Sequence, residues 1–169
     1  MDCLIKAFAV AAADAPRTKL RIAGRGPERA RLEALAREVG AERNIEFLGW
    51  IEPEDVEREL SSAWLLVAPS LWAEPLGLVA REAIVSGVPV LASVSGGFAE
   101  TVEEGVTGML VPNGDIEALA NGIRAVITER QFPRGLSPDA VGAVGARHDM
   151  GAHVTRMRAI FREVAGAAS

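Results

Sequence analysis

The run Trp64-Leu65-Leu66-Val67-Ala68-Pro69-Ser70, followed after Leu71-Trp72-Ala73 by Glu74-Pro75-Leu76-Gly77-Leu78-Val79-Ala80-Arg81-Glu82, decides the fold. The first run is apolar, short and closed by proline, which reads as a buried strand. The second opens on a Pro-Leu-Gly turn and continues with residues that suit a helix. Glu74 therefore falls near the carboxyl end of a strand, where open α/β sheets bind ligands. Gly77 lets backbone approach a ligand closely, and the amides that follow begin a helix and point at whatever anion sits there. Such amides suit a phosphate, and the two carboxylates suit the hydroxyls of a sugar or ribose, a combination that points to a nucleotide-sugar site. An acidic first helical turn favoured by the helix dipole fits the same residues.

Composition bounds the reading. The 169 residues are enough for one domain, 1–169, with a sizeable core. Being 49% hydrophobic and 24% charged, the chain is globular in composition. A formal net charge of −5 argues against nucleic acid or a polybasic membrane role. An anionic ligand then has to be held by local devices, such as helix amino ends and single arginines. Cys3 is the only cysteine, so no internal disulfide forms, which fits a cytoplasmic protein. Cys3, His148 and His153 make a poor zinc set, and no Asp-x-Asp pair offers a clamp for a metal diphosphate. Asp2 and Lys6 interrupt what could pass for a signal sequence, and Leu4, Ile5, Phe8 and Ala12 share a helical face instead. No apolar run reaches the 18 or so residues of a membrane span.

Around the opening stretch, strands and helices alternate. Helices are expected over 4–12, 28–39, 53–63, 77–86, 99–103 and 116–128, and strands over 19–23, 44–48, 65–68, 89–92 and 109–111. Gly40 marks a helix stop, Pro53 a first helical residue, and Asp115 an N-cap. The strands lack polar alternation, as expected when helices cover both faces. The rhythm implies an α/β, Rossmann-like, doubly wound parallel sheet. Segment 131–147, rich in Pro, Gly and Ala, reads as irregular or as a loosened helix. A closing helix over 148–165 carries a stripe of Val154, Met157, Ile160, Phe161 and Val164.

Three further strand exits carry glycines. Gly24-Arg25-Gly26 has the context of a phosphate turn but lacks the third glycine of the dinucleotide fingerprint. Phe47-Leu48-Gly49-Trp50-Ile51 could read a base edge or be an ordinary turn. Ser95-Gly96-Gly97 reads as a flexible turn. Ser95 makes a poor nucleophile, because the Gly-x-Ser-x-Gly elbow is absent and both histidines lie far along the chain.

The order of these motifs, from Gly24-Arg25-Gly26-Pro27-Glu28 through Phe47-Leu48-Gly49, Ala68-Pro69-Ser70, Glu74-Pro75-Leu76-Gly77, Glu82-Ala83, Gly87-Val88-Pro89-Val90 and Gly96-Gly97 to Glu103-Glu104-Gly105-Val106-Thr107-Gly108 and Gly114-Asp115, closely resembles the carboxy-terminal, donor-binding domain of family 4 (group 1) retaining glycosyltransferases, one half of the GT-B architecture. The resemblance covers about residues 4–127 and is weaker over 147–164. It implies that Glu74 is catalytic and contacts donor-sugar hydroxyls near the reacting carbon, and that Glu82 holds the ribose. By the same resemblance, backbone at Leu76, Gly77, Leu78 and Val79 meets the diphosphate and sugar, Ile51 lies against the base, and Gly24 lines the cleft. The implied chemistry is transfer of a glycosyl group from a nucleotide sugar to an acceptor hydroxyl, without a metal or other cofactor.

The chain departs from the family pattern in two ways. The family has a strand, then an Arg and a Lys-Gly pair, ahead of the first helix. This sequence begins inside that region, so the strand expected near the middle of the sheet is absent, and Lys6 comes too late to replace the basic pair. The acceptor-binding amino-terminal domain is absent too. The expected partner is that domain, in cis or as a separate chain, and any membrane association would run through it. Two other readings remain open: a non-catalytic or split nucleotide-sugar-binding module, and an epimerase or phosphorylase of related architecture.

Overall fold

The computed structural model of the chain describes residues 1–129, 131–132, 135–147 and 150–166. Among the described residues five strands and eight α-helices follow in order: α1 (Asp2–Ala11), β1 (Leu20–Ala23), α2 (Arg29–Glu38), β2 (Ile45–Gly49), α3 (Pro53–Ser61), β3 (Leu66–Ala68), α4 (Leu78–Val85), β4 (Val90–Ser93), α5 (Phe98–Thr101), β5 (Gly108–Val111), α6 (Ile116–Ile127), α7 (Pro138–Arg147) and α8 (Met150–Gly166). Every strand pairing is parallel. The expected elements are present, each within two residues of its expected bounds. The local signals act as read: Pro53 opens α3, and the Asp115 carboxylate accepts the Ala118 N–H at 2.9 Å to cap α6.

The strands form two sheets, β1–β2 and β3–β4–β5. Side-chain alternation sends each strand's residues to two faces. On one face, Leu91, Met109 and Val111, with Leu20, Ile22, Phe47, Leu65 and Val67, pack in one core with residues of α1, α2 and α6. On the other, Leu66, Ala68, Val90, Ala92 and Leu110 pack with residues of α3, α4 and α7. This is the doubly wound arrangement of helices on both faces. The first core runs under both sheets, with α1 packed against both α2 and α6. Among the described residues no strand lies between β1 and β3, each of which pairs on one side only. That seam is the middle of the sheet, where the family resemblance puts a strand ahead of α1.

Two segments need comment. Within 131–147, expected to be irregular or a loosened helix, residues 138–147 form α7. Ser137 supplies the cap, its hydroxyl accepting the Ala140 N–H at 3.2 Å, and Pro138 follows as a first helical residue. Burial of Ala140 and Val144, the latter against the α3–α4 side of the core, outweighs the low helix propensity of Gly142 and Gly145. The closing helix forms, but most of its stripe is exposed: Phe161 and Val164 are each 64% exposed, while Met157 is half-buried. His148, expected within that helix, lies outside the described residues.

Asp2 and Arg31 tie α1 to α2. The guanidinium donates from Nη1 to Oδ2 at 2.5 Å and from Nη2 to Oδ1 at 2.9 Å, and its Nε reaches Glu28 at 2.5 Å. The Arg31 hydrogen bonds hold the Asp2 carboxyl well below the usual carboxylate range, at about 2, and the two carboxylates push the Arg31 guanidinium up.

Candidate functional site

Gly77 is the pivot of the site. It stands at φ 68°, ψ 44°, a left-handed conformation that costs a Cβ-bearing residue energy. Its carbonyl accepts the N–H groups of Ala80 at 3.0 Å and Arg81 at 3.3 Å. The first two amides of α4, those of Leu78 and Val79, are thus left without a partner inside the helix and are available to an anion at its amino end. Leu76, Leu78 and Val79 are exposed around this point. Glu82 lies one turn on, four residues after Leu78 and on the same helix face, with its side chain exposed. Glu74, partly buried, lies three residues before the pivot. Glu74, Leu76, Gly77, Leu78, Val79 and Glu82 therefore follow one another through the loop and the first turns of α4 beyond the carboxyl end of β3, with Gly77 itself buried.

The expected flexible turn at Ser95-Gly96-Gly97 is instead packed beneath this loop. Ser95 and Gly97 are buried. The Gly97 N–H donates to the Glu74 carbonyl at 2.7 Å, the Ser95 hydroxyl to the Trp72 carbonyl, and the Thr101 hydroxyl to the Leu76 carbonyl at 3.4 Å. A Cβ on Gly97 would stand 2.5 Å from the Leu76 carbonyl carbon, and one on Gly96 would overlap the Glu74 carbonyl oxygen. Phe98, 1% exposed, lies directly under Gly77. The sequence signal for this support was the pair of adjacent glycines, which marks close backbone approach as well as flexibility.

Gly24 and Ile51 belong to a second group, beyond β1 and β2. The Gly24 N–H donates to the Gly49 carbonyl at 2.6 Å, which joins the two exit loops, and Ile51 follows, half-buried. Arg29 brings positive charge to this group. Its guanidinium lies 5.7 Å from the Phe47 ring centre, donates to the Phe47 carbonyl at 3.2 Å, and pairs with Glu33 at 2.8 Å. The two groups stand at the carboxyl ends of the two sheets, open to solvent. Two cavities are present among the described residues, the second of which includes Arg29 and Phe47 of this group. One of about 460 Å³ runs between β5 and α6, and one of about 290 Å³ is lined by Arg29, Ala36, Ile45 and Phe47. Among the described residues no cluster of three or more His, Cys, Asp or Glu side chains is placed to hold a metal ion. No helix among them is long and apolar enough to cross a membrane.

Residues 1–140 match the family described as glycosyl transferases group 1. The chain is 34% identical over 153 residues to a GDP-mannose-dependent monoacylated alpha-(1-6)-phosphatidylinositol monomannoside mannosyltransferase of Corynebacterium glutamicum, covering 87% of this chain and 38% of that protein. It is 36% identical over 141 residues to an exopolysaccharide phosphotransferase of Streptomyces coelicolor, covering 83% of this chain and 15% of that one. Among solved structures, Anabaena HepE in complex with UDP superposes with a TM-score of 0.82 at 27% identity, over 94% of this chain and 44% of that chain. The sucrose-phosphate synthase of Thermosynechococcus elongatus superposes at 0.81 and 35% identity, over 98% and 43%. The chain thus spans less than half the length of each of these proteins.

Proposed function

Because the chain belongs to the group 1 glycosyl transferases, we propose that it is the donor-binding domain of a retaining glycosyltransferase and takes a nucleotide-activated sugar. The observation that carries this reading is the Gly77 pivot, which leaves the Leu78 and Val79 amides without a partner inside the helix, with Glu74 three residues before it in sequence and Glu82 five after. The diphosphate meets the Leu78 and Val79 amides, where the helix dipole opposes the negative charge that grows as it leaves. Glu82 accepts hydrogen bonds from the ribose hydroxyls and Glu74 from those of the sugar, both of the charge-assisted, stronger kind. Ile51 lies against the base, and Gly24 lines the same cleft. HepE in complex with UDP shares this fold, which supports a nucleoside diphosphate as the ligand.

The acceptor hydroxyl approaches the face the diphosphate leaves, so configuration is retained. Positioning and charge stabilisation supply most of the rate, and no metal takes part. An acceptor-binding domain, in cis or as a separate chain, completes the enzyme in the cytoplasm, and alone this chain turns over little donor. The test joins the chain to such a domain and supplies labelled nucleotide sugars with acceptor. Glycosylated acceptor of unchanged anomeric configuration is expected. Free sugar, an epimerised donor, or turnover that needs no nucleotide would count against transfer.

A further inference from the structure

The segment from Pro69 to Gly77 belongs to no helix or strand, yet it carries Glu74. Its backbone is held at a regular interval. The carbonyls of Trp72, Glu74 and Leu76, alternate residues, each accept one hydrogen bond from the segment that follows β4: from the Ser95 hydroxyl, the Gly97 N–H and the Thr101 hydroxyl respectively. The segment bends at 71–72 and 75–76, so it is no strand, yet its three carbonyls meet one support. Here two side-chain hydroxyls stand in for the amides a neighbouring strand would supply. The three donors are buried, and each carbonyl would lose its partner if the donor were removed. Gly96 and Gly97 close the fit, since a Cβ at either position would drive into the Glu74–Leu76 backbone.

We propose that Ser95 and Thr101 are positioning residues: together with Gly97 they form a template that sets the Glu74 carboxylate against the donor sugar without touching it. This rests on the donor-site reading of Glu74. The role differs from fold support because its effect passes through one carboxylate. Loosening the template blurs the sugar contact and leaves the diphosphate contacts, which come from α4 and its Gly77 cap, in place.

The whole chain is titrated by calorimetry with UDP and UDP-glucose, and with GDP and GDP-mannose, as the wild type and as Ser95→Ala, Glu74→Gln and the double variant. Ser95→Ala should weaken the nucleotide sugar about three- to tenfold, the range of one lost hydrogen bond, while bare diphosphate stays within about twofold. Glu74→Gln should show the same selectivity, and Ser95→Ala should then add nothing in the double variant, because the contact it aims is already weakened. Should Ser95→Ala fail to fold, Thr101→Val makes the same test at near-constant volume, and Thr101→Ser should retain wild-type discrimination. Selectivity in Glu74→Gln with none in Ser95→Ala or Thr101→Val overturns the template alone, as does equal weakening of both ligands. No selectivity in Glu74→Gln, or no binding of either pair by the wild type, overturns the donor-site reading first and the template with it.

Discussion

Gly77→Ala separates a structural pivot from an incidental glycine. The native φ of 68° lies where an L-residue loses roughly 1–2 kcal/mol. The new methyl would stand 2.6 Å and 2.9 Å from the Cδ1 and Cε1 atoms of Phe98. That ring is 1% exposed and has nowhere to move, so overpacking adds about 1–3 kcal/mol. Together the variant should lose about 2–5 kcal/mol in urea unfolding and bind nucleoside diphosphate more weakly, since the amino end of α4 shifts. Phe98→Leu in the same chain should recover part of the clash and none of the backbone strain. The control is Gly142→Ala on the exposed side of α7, where a Cβ meets nothing within 4 Å and φ is ordinary. Here the chain should gain up to about 1 kcal/mol from helix propensity. The same chemical change then has opposite signs at two sites. A Gly77→Ala protein within about 0.5 kcal/mol of wild type would refute the reasoning, since a strained and overpacked site cannot be neutral.

Three other perturbations probe the frame around the site. Asp2 ionises in the fold with a pKa of about 2, below its unfolded value, so its contribution is present above about pH 4 and is lost as pH falls through 2; Asp2→Asn should flatten this part of the acid-unfolding curve, and a midpoint that still moves as in wild type would contradict it. Along the seam, Leu66 donates toward β4 through its bond to the Pro89 carbonyl, so alternation turns the Val67 N–H away from β4; by hydrogen exchange Val67 should be at least about tenfold less protected than Leu91, whose strand is paired on both sides, and equal protection would mean the seam is closed. Phe161→Ala on the exposed face of α8 should shift stability by less than about 0.5 kcal/mol, whereas buried Phe98→Ala should cost about 3–5 kcal/mol by chemical denaturation.

The elements were legible because local signals and tertiary context agreed. The apolar run before Glu74, Pro53 and Asp115 each specify locally what the packed chain keeps. Segment 138–147 was less legible: Gly142 and Gly145 mask a helix whose warrant is the burial of Ala140 and Val144, and only the Ser137-Pro138 start announced it. The stripe on α8 is a true helical pattern, but periodicity cannot say whether a face finds cover. In the proposed site, Glu74, Gly77 and Glu82 could be singled out from sequence because chemistry and spacing share one continuous stretch. Ser95 and Thr101 act on that stretch from more than 20 residues away through backbone carbonyls, and carbonyls leave no mark on residue identity. The adjacent glycines at 96 and 97 were the one visible trace of that contact.

The central claim is a division of labour between two carboxylates, and one set of calorimetric titrations tests it: bare nucleoside diphosphate and the matching nucleotide sugar, each against Glu82→Gln and Glu74→Gln. With ribose on Glu82, its variant should weaken both ligands by about 1.5–3 kcal/mol, the range for a hydrogen bond to a charged group. With sugar alone on Glu74, its variant should weaken the nucleotide sugar and leave the diphosphate nearly unchanged. Equal effects of Glu74→Gln on the two ligands, or no effect of either change on binding, would contradict the account.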